Sequence, residues 1–173
     1  MEAITIAGCK NISMTEIVVE PLTEEAFAPF GQVIALGPLG RAHSTRYAAD
    51  VANRRPDARL NVSISQQVPV PLPLQVKFME KHPHSAQTFV PTAMERYLVL
   101  VCPADADGGP SLGELKAFAG NGSQGINYHP DTWHHPFTVL DAPGECVVLR
   151  YDMDDDEDTI WFEVADGLTI VDS

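Results

Sequence analysis

Residues 59–66 read RLNVSISQ, and Leu60, Val62 and Ile64 fall on one face if the chain is extended, because successive side chains of a strand point to opposite sides. The same alternation returns at Leu74, Val76 and Phe78. Strand-like runs follow at 96–102 (RYLVLVC), 146–152 (CVVLRYD) and 159–164 (TIWFEV). Turn formers separate them: Pro69, Pro71 and Pro73, then DGGP at 107–110, GNG at 120–122 and APG at 142–144. Short strands at near-regular spacing, bounded this way, predict an all-β barrel or sandwich. One helix is expected near the start. Thr23 can cap it, Glu24 and Glu25 favour its dipole, Phe27 and Phe30 form its buried side, and Gly31 stops it.

A chain of 173 residues is sized for one domain. Its net charge of −13 repels nucleic acid and anionic membranes, so neither is an expected partner. A small anionic substrate would need a local cationic pocket. The three cysteines, Cys9, Cys102 and Cys146, are odd in number and widely spaced. They fit two core thiols and one near the N-terminus rather than a disulfide framework or a cysteine metal site. No apolar run approaches a membrane span, and residues 1–13 lack the basic start and apolar stretch of a signal peptide. A cytoplasmic location is the expectation. The stretch 37–55 gathers Arg41, His43, Arg46, Arg54 and Arg55, as a surface loop or an anion-facing flap. The acidic run 152–158 (DMDDDED) lacks the spacing and glycine of a calcium loop and reads as a solvated turn.

Five of the six histidines fall in two short windows, within the strand segments expected at 80–91 and 124–136. The first is EKHPHSAQ, residues 80–87. On a strand, alternation puts His82 and His84 on one face, with Gln87 or Glu80 nearby. Two imidazoles and an amide oxygen suit a divalent metal such as zinc, manganese or iron. The metal set expected is therefore His82, His84, Gln87 and His134. The second window is YHPDTWHHP, residues 128–136, with His129, His134 and His135 beside Tyr128 and Trp133. Histidine serves as ligand, base or acid near neutral pH. One histidine alone is usually structural; two windows, each beside proline, point to a shared site. The candidates for chemistry are His134, His82, His129 and Gln87. Tyr97 and Trp161 read as packing residues, while Trp133 and Tyr128 suit either role.

The two windows on a β-rich chain resemble the paired motifs of cupins, and a closer likeness is visible. GSQGINYHPDTWHHPF, residues 122–137, resembles the signature of the ureidoglycolate lyase family, and MEKHPHSAQTFVP, 79–91, resembles a second element of it. EIVVEPLTEEAFAPFGQVI at 16–34 and LGELKAFAGNG at 112–122 are similar to two more. The likeness runs from about Glu16 to Asp152 and leaves residues 1–13 outside, as an extension before a single cupin-like domain at 14–173. His84 stands where the family usually has leucine, Asp131 where it often has glycine, and Leu149 where aspartate usually precedes the arginine.

The resemblance implies a cupin-like antiparallel β-barrel, a homodimer, and cleavage of (S)-ureidoglycolate to glyoxylate and urea in allantoin and purine catabolism. It implies no organic cofactor. Taking the substrate's hydroxyl proton forms a carbonyl as the C–N bond breaks, and an acid protonates the departing nitrogen. Arg46, Lys116 or Arg150 would bind the carboxylate, with Trp133 and Tyr128 against the rest of the substrate. Two other readings stay open: a different metal-dependent cupin enzyme, dioxygenase or isomerase, acting on a small carboxylate, and a non-enzymatic ligand-binding barrel.

Overall fold

The computed structural model describes residues 15–35, 48, 50–153, 158–165 and 167–173. The extension expected at 1–13, and Arg41, His43 and Arg46, lie outside the described residues. The strands are β1 (Thr15–Val18), β2 (Glu20–Pro21), β3 (Gly31–Ala35), β4 (Arg59–Gln67), β5 (Leu74–Gln75), β6 (Phe78–Lys81), β7 (Gln87–Ala93) and β8 (Arg96–Cys102). They continue with β9 (Lys116–Asn121), β10 (Gln124–Tyr128), β11 (Trp133–His134), β12 (Thr138–Leu140), β13 (Gly144–Asp152), β14 (Ile160–Glu163) and β15 (Leu168–Val171). The one α-helix among the described residues, α1 (Glu24–Phe27), lies between β2 and β3. Thr23 caps it as the sequence predicts: Ala26 N–H donates to its hydroxyl at 3.1 Å. Phe27 and Phe30 are buried.

Three sheets stack in layers. The outer one runs β1-β15-β5, the central one β14-β6-β11-β8-β9-β2 with β12 also on β8, and the third β3-β10-β7-β13-β4. The central strand β8 is buried along both faces. Leu98, Leu100 and Cys102 pack with Met79, Trp133, Phe162, Leu168 and Ile170 toward the outer sheet. Tyr97, Val99 and Val101 pack with Phe89, Ile126, Tyr128, Phe137 and Cys146 toward the third. Each such side chain contributes about 1.5–3 kcal/mol by leaving water. The all-β, cupin-like expectation holds, and among the described residues the facing sheets do not close into a continuous barrel.

Two local expectations need correcting. The alternating run at Leu74, Val76 and Phe78 is two strands, not one: β5 joins the outer sheet and β6 the central sheet. The first histidine window is not strand throughout either. β6 ends at Lys81 and β7 begins at Gln87, so His82 and His84 occupy a connection where alternation does not apply. Pro83 stands between them, without the N–H a ladder needs.

Strand β4 is an edge strand whose alternation runs opposite to a simple core. Its apolar residues Leu60, Val62 and Ile64 are 49%, 60% and 67% exposed on the outer face. Asn61, Ser63 and Ser65 point inward, opposite Arg150, Val148 and Cys146 of β13.

Candidate active site

Glu80, on β6, sits directly opposite His134 on β11. Its Oε1 lies 3.6 Å from His134 Nε2. The ring of His82, one residue past the end of β6, lies 5.3 Å from that of His134, centre to centre. Ligand-capable atoms of Glu80, His82 and His134 all lie within 4.8 Å of one another, and all three residues are buried. Tyr128, at the end of β10, stacks on His134 at 4.2 Å with 14° between the planes. Gln87 is opposite Tyr128 on one side and Arg150 on the other. Asn61 completes that row across the third sheet. The cleft beside it, about 290 Å³, is lined by Asn61, Ser63, Ser65, Gln87, Phe89, Val148 and Arg150. A larger depression of about 380 Å³ lies elsewhere, and its Arg96 is already held by Asp141 and Asp172.

Backbone carbonyls fix both rings. Nδ1–H of His82 donates to the Asp158 carbonyl at 2.7 Å, and Nδ1–H of His134 donates to the Thr132 carbonyl at 2.8 Å. A carbonyl only accepts, so each neutral imidazole carries its free lone pair on Nε2. Both Nε2 atoms are buried without a hydrogen-bond partner, as are Gln87 Oε1 and the Tyr128 hydroxyl. Buried polar atoms normally have partners. The imidazole atoms, in one group with the Glu80 carboxylate, mark a place where a ligand's polar groups would find partners.

The electrostatics fit that reading. Burial pushes His82 down to about 4, helped by the neighbouring His134 and Arg150, against the pull of Glu80 and the Asp158 carbonyl. His82 is therefore a neutral imidazole at physiological pH. Burial alone would raise Glu80, but the imidazoles around it, His134 at 3.6 Å first and then His82 and His135, outweigh that and hold it below the usual range. Burial keeps the Tyr128 hydroxyl protonated well above its ordinary value.

The other expected site residues separate clearly. Trp133 is removed from the cleft: it neighbours His134 on β11, so it points to the opposite face, packs in the outer core, and donates its indole N–H to the Gly108 carbonyl. His84 is partly buried, and the structure brings Glu80 rather than His84 to His82 and His134. His129 lies nearer the surface, its Nδ1 3.9 Å from Asp50. Lys116 is exposed, two strands from His134 in the same row. Arg150 faces the cleft with NH2 3.2 Å from Asp152. Arg54 and Arg55 serve the protein itself: Arg54 donates to the Pro83 carbonyl, and Arg55 lies 3.7 Å from Asp158.

Sequence reasoning placed Glu80 near the site but not among its principal residues. Its strand partner His134 is the signal that was missing, because cross-strand register is not written in either window alone. The left-handed backbone at Asp131 (φ 72°) explains why glycine suits that position. The turn lets Asp131 N–H donate to the His82 carbonyl at 2.8 Å while Lys81 pairs with its carboxylate at 2.7 Å, tying the two windows together.

Fold and site together define an all-β protein with a buried carboxylate–imidazole–imidazole group, joined through Tyr128 and its strand partner Gln87 to the wall of a polar cleft. The model of the ureidoglycolate lyase family matches residues 14–170, and the chain belongs to that family. It is 35% identical over 144 residues to a ureidoglycolate lyase of Pseudomonas savastanoi pv. phaseolicola, covering 79% of this chain and 83% of that one. It is 38% identical over 143 residues to one from Mesorhizobium japonicum, covering 79% and 86%. Among solved structures, it is similar to a sugar 3,4-ketoisomerase from Thermoanaerobacterium thermosaccharolyticum, with 12% identity, coverage of 74% and 85%, and a TM-score of 0.43.

Proposed function

We propose that this protein is a ureidoglycolate lyase, cleaving (S)-ureidoglycolate to glyoxylate and urea at the Glu80/His82/His134 centre. The observation that carries the reading is the pair of unpartnered imidazole nitrogens beside an ionised carboxylate, in a chain of this family. The substrate carboxylate pairs with Arg150, the cation lining the cleft. Gln87 Oε1 accepts from the hydroxyl or an ureido N–H, and the protonated Tyr128 hydroxyl donates to the substrate. The hydroxyl proton passes to the free lone pair of His134 Nε2, and the Glu80 carboxylate 3.6 Å away stabilises the imidazolium that forms. The carbonyl forms as the C–N bond breaks, and that proton ends on the urea nitrogen. Base and acid are then one device used twice.

The same residues fit a divalent metal. His82 Nε2, His134 Nε2 and a Glu80 oxygen form a nitrogen–oxygen donor set whose rings are already oriented by second hydrogen bonds. A bound ion would supply Lewis acidity to the hydroxyl and carboxylate of the substrate. This revises the expected set, with Glu80 in place of His84 and with Gln87 facing the substrate.

The outer face of the third sheet supports the homodimer. Leu60, Val62, Ile64 and Val90 are exposed there, with Val147 and Leu149 between them, and a patch of this kind suits a second copy related by a two-fold axis. Val62→Lys with Ile64→Lys should convert the dimer to monomer in sedimentation; an unchanged dimer would place the interface elsewhere. Buried free thiols at Cys102 and Cys146 support the cytoplasmic reading.

A coupled assay for urea and glyoxylate, on protein of known metal content before and after chelation, tests the activity. Release of both products in equal amounts is the expected result. Absence of either, with metal supplied, would refute it.

A further inference from the structure

Asp158 closes the acidic run 152–158, which by composition belongs in solvent. It is instead 4% exposed. Its carboxylate accepts from the backbone N–H of His84 at 2.8 Å and from the Ser85 hydroxyl. Its backbone carbonyl accepts Nδ1–H of His82 at 2.7 Å. One residue therefore grips the 82–85 connection at three points, two through the side chain and one through the main chain. The side-chain contacts fall two and three residues beyond His82. They hold the connection against the turn that carries the Asp158 carbonyl.

We propose that Asp158 is the positioning residue of the site, setting through its carboxylate clamp which nitrogen of His82 carries the proton. The inference builds on the reading of His82 as a site residue, yet concerns a group that touches neither substrate nor metal. The connection has no strand ladder of its own. Its other ties are the bridge of Asn53 with Ser85 and the backbone contacts of Ala52 and Arg54 with Ala86 and His84, the Arg54 side chain on the Pro83 carbonyl, and the Asp131 N–H on the His82 carbonyl. None of these reaches the His82 ring. The ring's orientation depends on the Asp158 carbonyl, with Thr159 Oγ1 a longer 3.3 Å from the same nitrogen. If the clamp is loosened, the carbonyl drifts and the proton can move to Nε2. That would remove the lone pair facing Glu80 and His134.

The test reads the tautomer directly. Ring-nitrogen NMR of uniformly labelled free protein, with the His82 signals assigned by their loss in His82→Gln, reports which nitrogen is protonated. Wild type should show one neutral tautomer, protonated at Nδ1. Asp158→Ala should shift His82 toward the Nε2–H form and lower urea release at least about 10-fold, the low end for partners that orient a ligand. Asp158→Asn should rescue both readouts, since its amide accepts from His84 N–H and donates to the Ser85 hydroxyl. Ser85→Ala, which leaves the His84 contact, should shift the tautomer less and in the same direction; it serves if Asp158→Ala does not fold. An unchanged Nδ1–H tautomer in Asp158→Ala or, failing that, Ser85→Ala would overturn the proposal. So would a shifted tautomer with wild-type turnover. The NMR signal does not depend on which substrate the protein takes, so failure of the lyase assay in wild type is a separate result.

Discussion

The two histidine windows look alike in sequence and work differently. The first delivers His82 from an irregular connection, clamped from outside by Asp158 and Asp131. The second delivers His134 from a strand, in register with Glu80 and stacked on Tyr128. Each window also carries histidines that stay out of the group, His84 in one and His129 and His135 in the other. The residues chosen share a signature: a buried ring, Nδ1 bound to a backbone carbonyl, and Nε2 unpartnered. His135 also rests its Nδ1 on a carbonyl, that of Pro136 at 2.9 Å, so what sets His82 and His134 apart is full burial together with an unpartnered Nε2, which spacing in the chain does not show.

The strongest challenge to this comparison is to remove one ring from each window. His82→Ala and His134→Ala should each lower turnover at least about 100-fold, the low end for acid–base groups. Near-normal urea release in either variant would remove that window from the mechanism.

Acid separates the windows next. His82 is held near 4 in the folded protein against its ordinary 6.5. Between those values the unfolded chain binds the proton that the folded chain refuses. Stability should therefore be full above pH 6.5 and fall as the pH drops toward 4, by about 3 kcal/mol at most. Glu80, also lowered, acts in the same direction as the pH falls through its folded value. Denaturant melts of metal-free wild type and His82→Gln across that range check this; equal slopes would show that His82 is not the source.

A smaller effect is expected at the turn joining the windows. Asp131→Ala removes the Lys81 ion pair and keeps the left-handed backbone, so it should cost about 1 kcal/mol. Asp131→Gly relieves the backbone and should cost less, and a melting midpoint below that of the alanine variant would contradict this.

The least effect is expected from His84→Leu, because the ring is outside the group. Metal content and urea release should match wild type, and loss of both would restore His84 as a ligand.

Much of this was legible in the chain. The short strands, the Thr23 cap and the two windows could be read from local pattern, because each depends on residues close in sequence. What depended on pairing across the fold could not. Alternation in β4 identifies two faces without saying which one turns inward, and the polar one does. Trp133 resembled a substrate contact beside His134 until the strand placed it on the other side. Asp158 carries the composition of a solvated turn, and only its contacts with His82, His84 and Ser85 show it buried.

The two cysteines among the described residues divide between the layers: Cys102 lies in the core toward the outer sheet and Cys146 in the core toward the third sheet. Burial raises their thiols to about 12 and about 11, so neither reacts while its layer stays shut. Each is a clock for one interface. Rates of thiol labelling in native buffer, followed separately at the two positions by peptide mass, would time how often each pair of sheets parts. Labelling of Cys146 ahead of Cys102 would mean that the layer holding the site breathes while the outer layer stays closed.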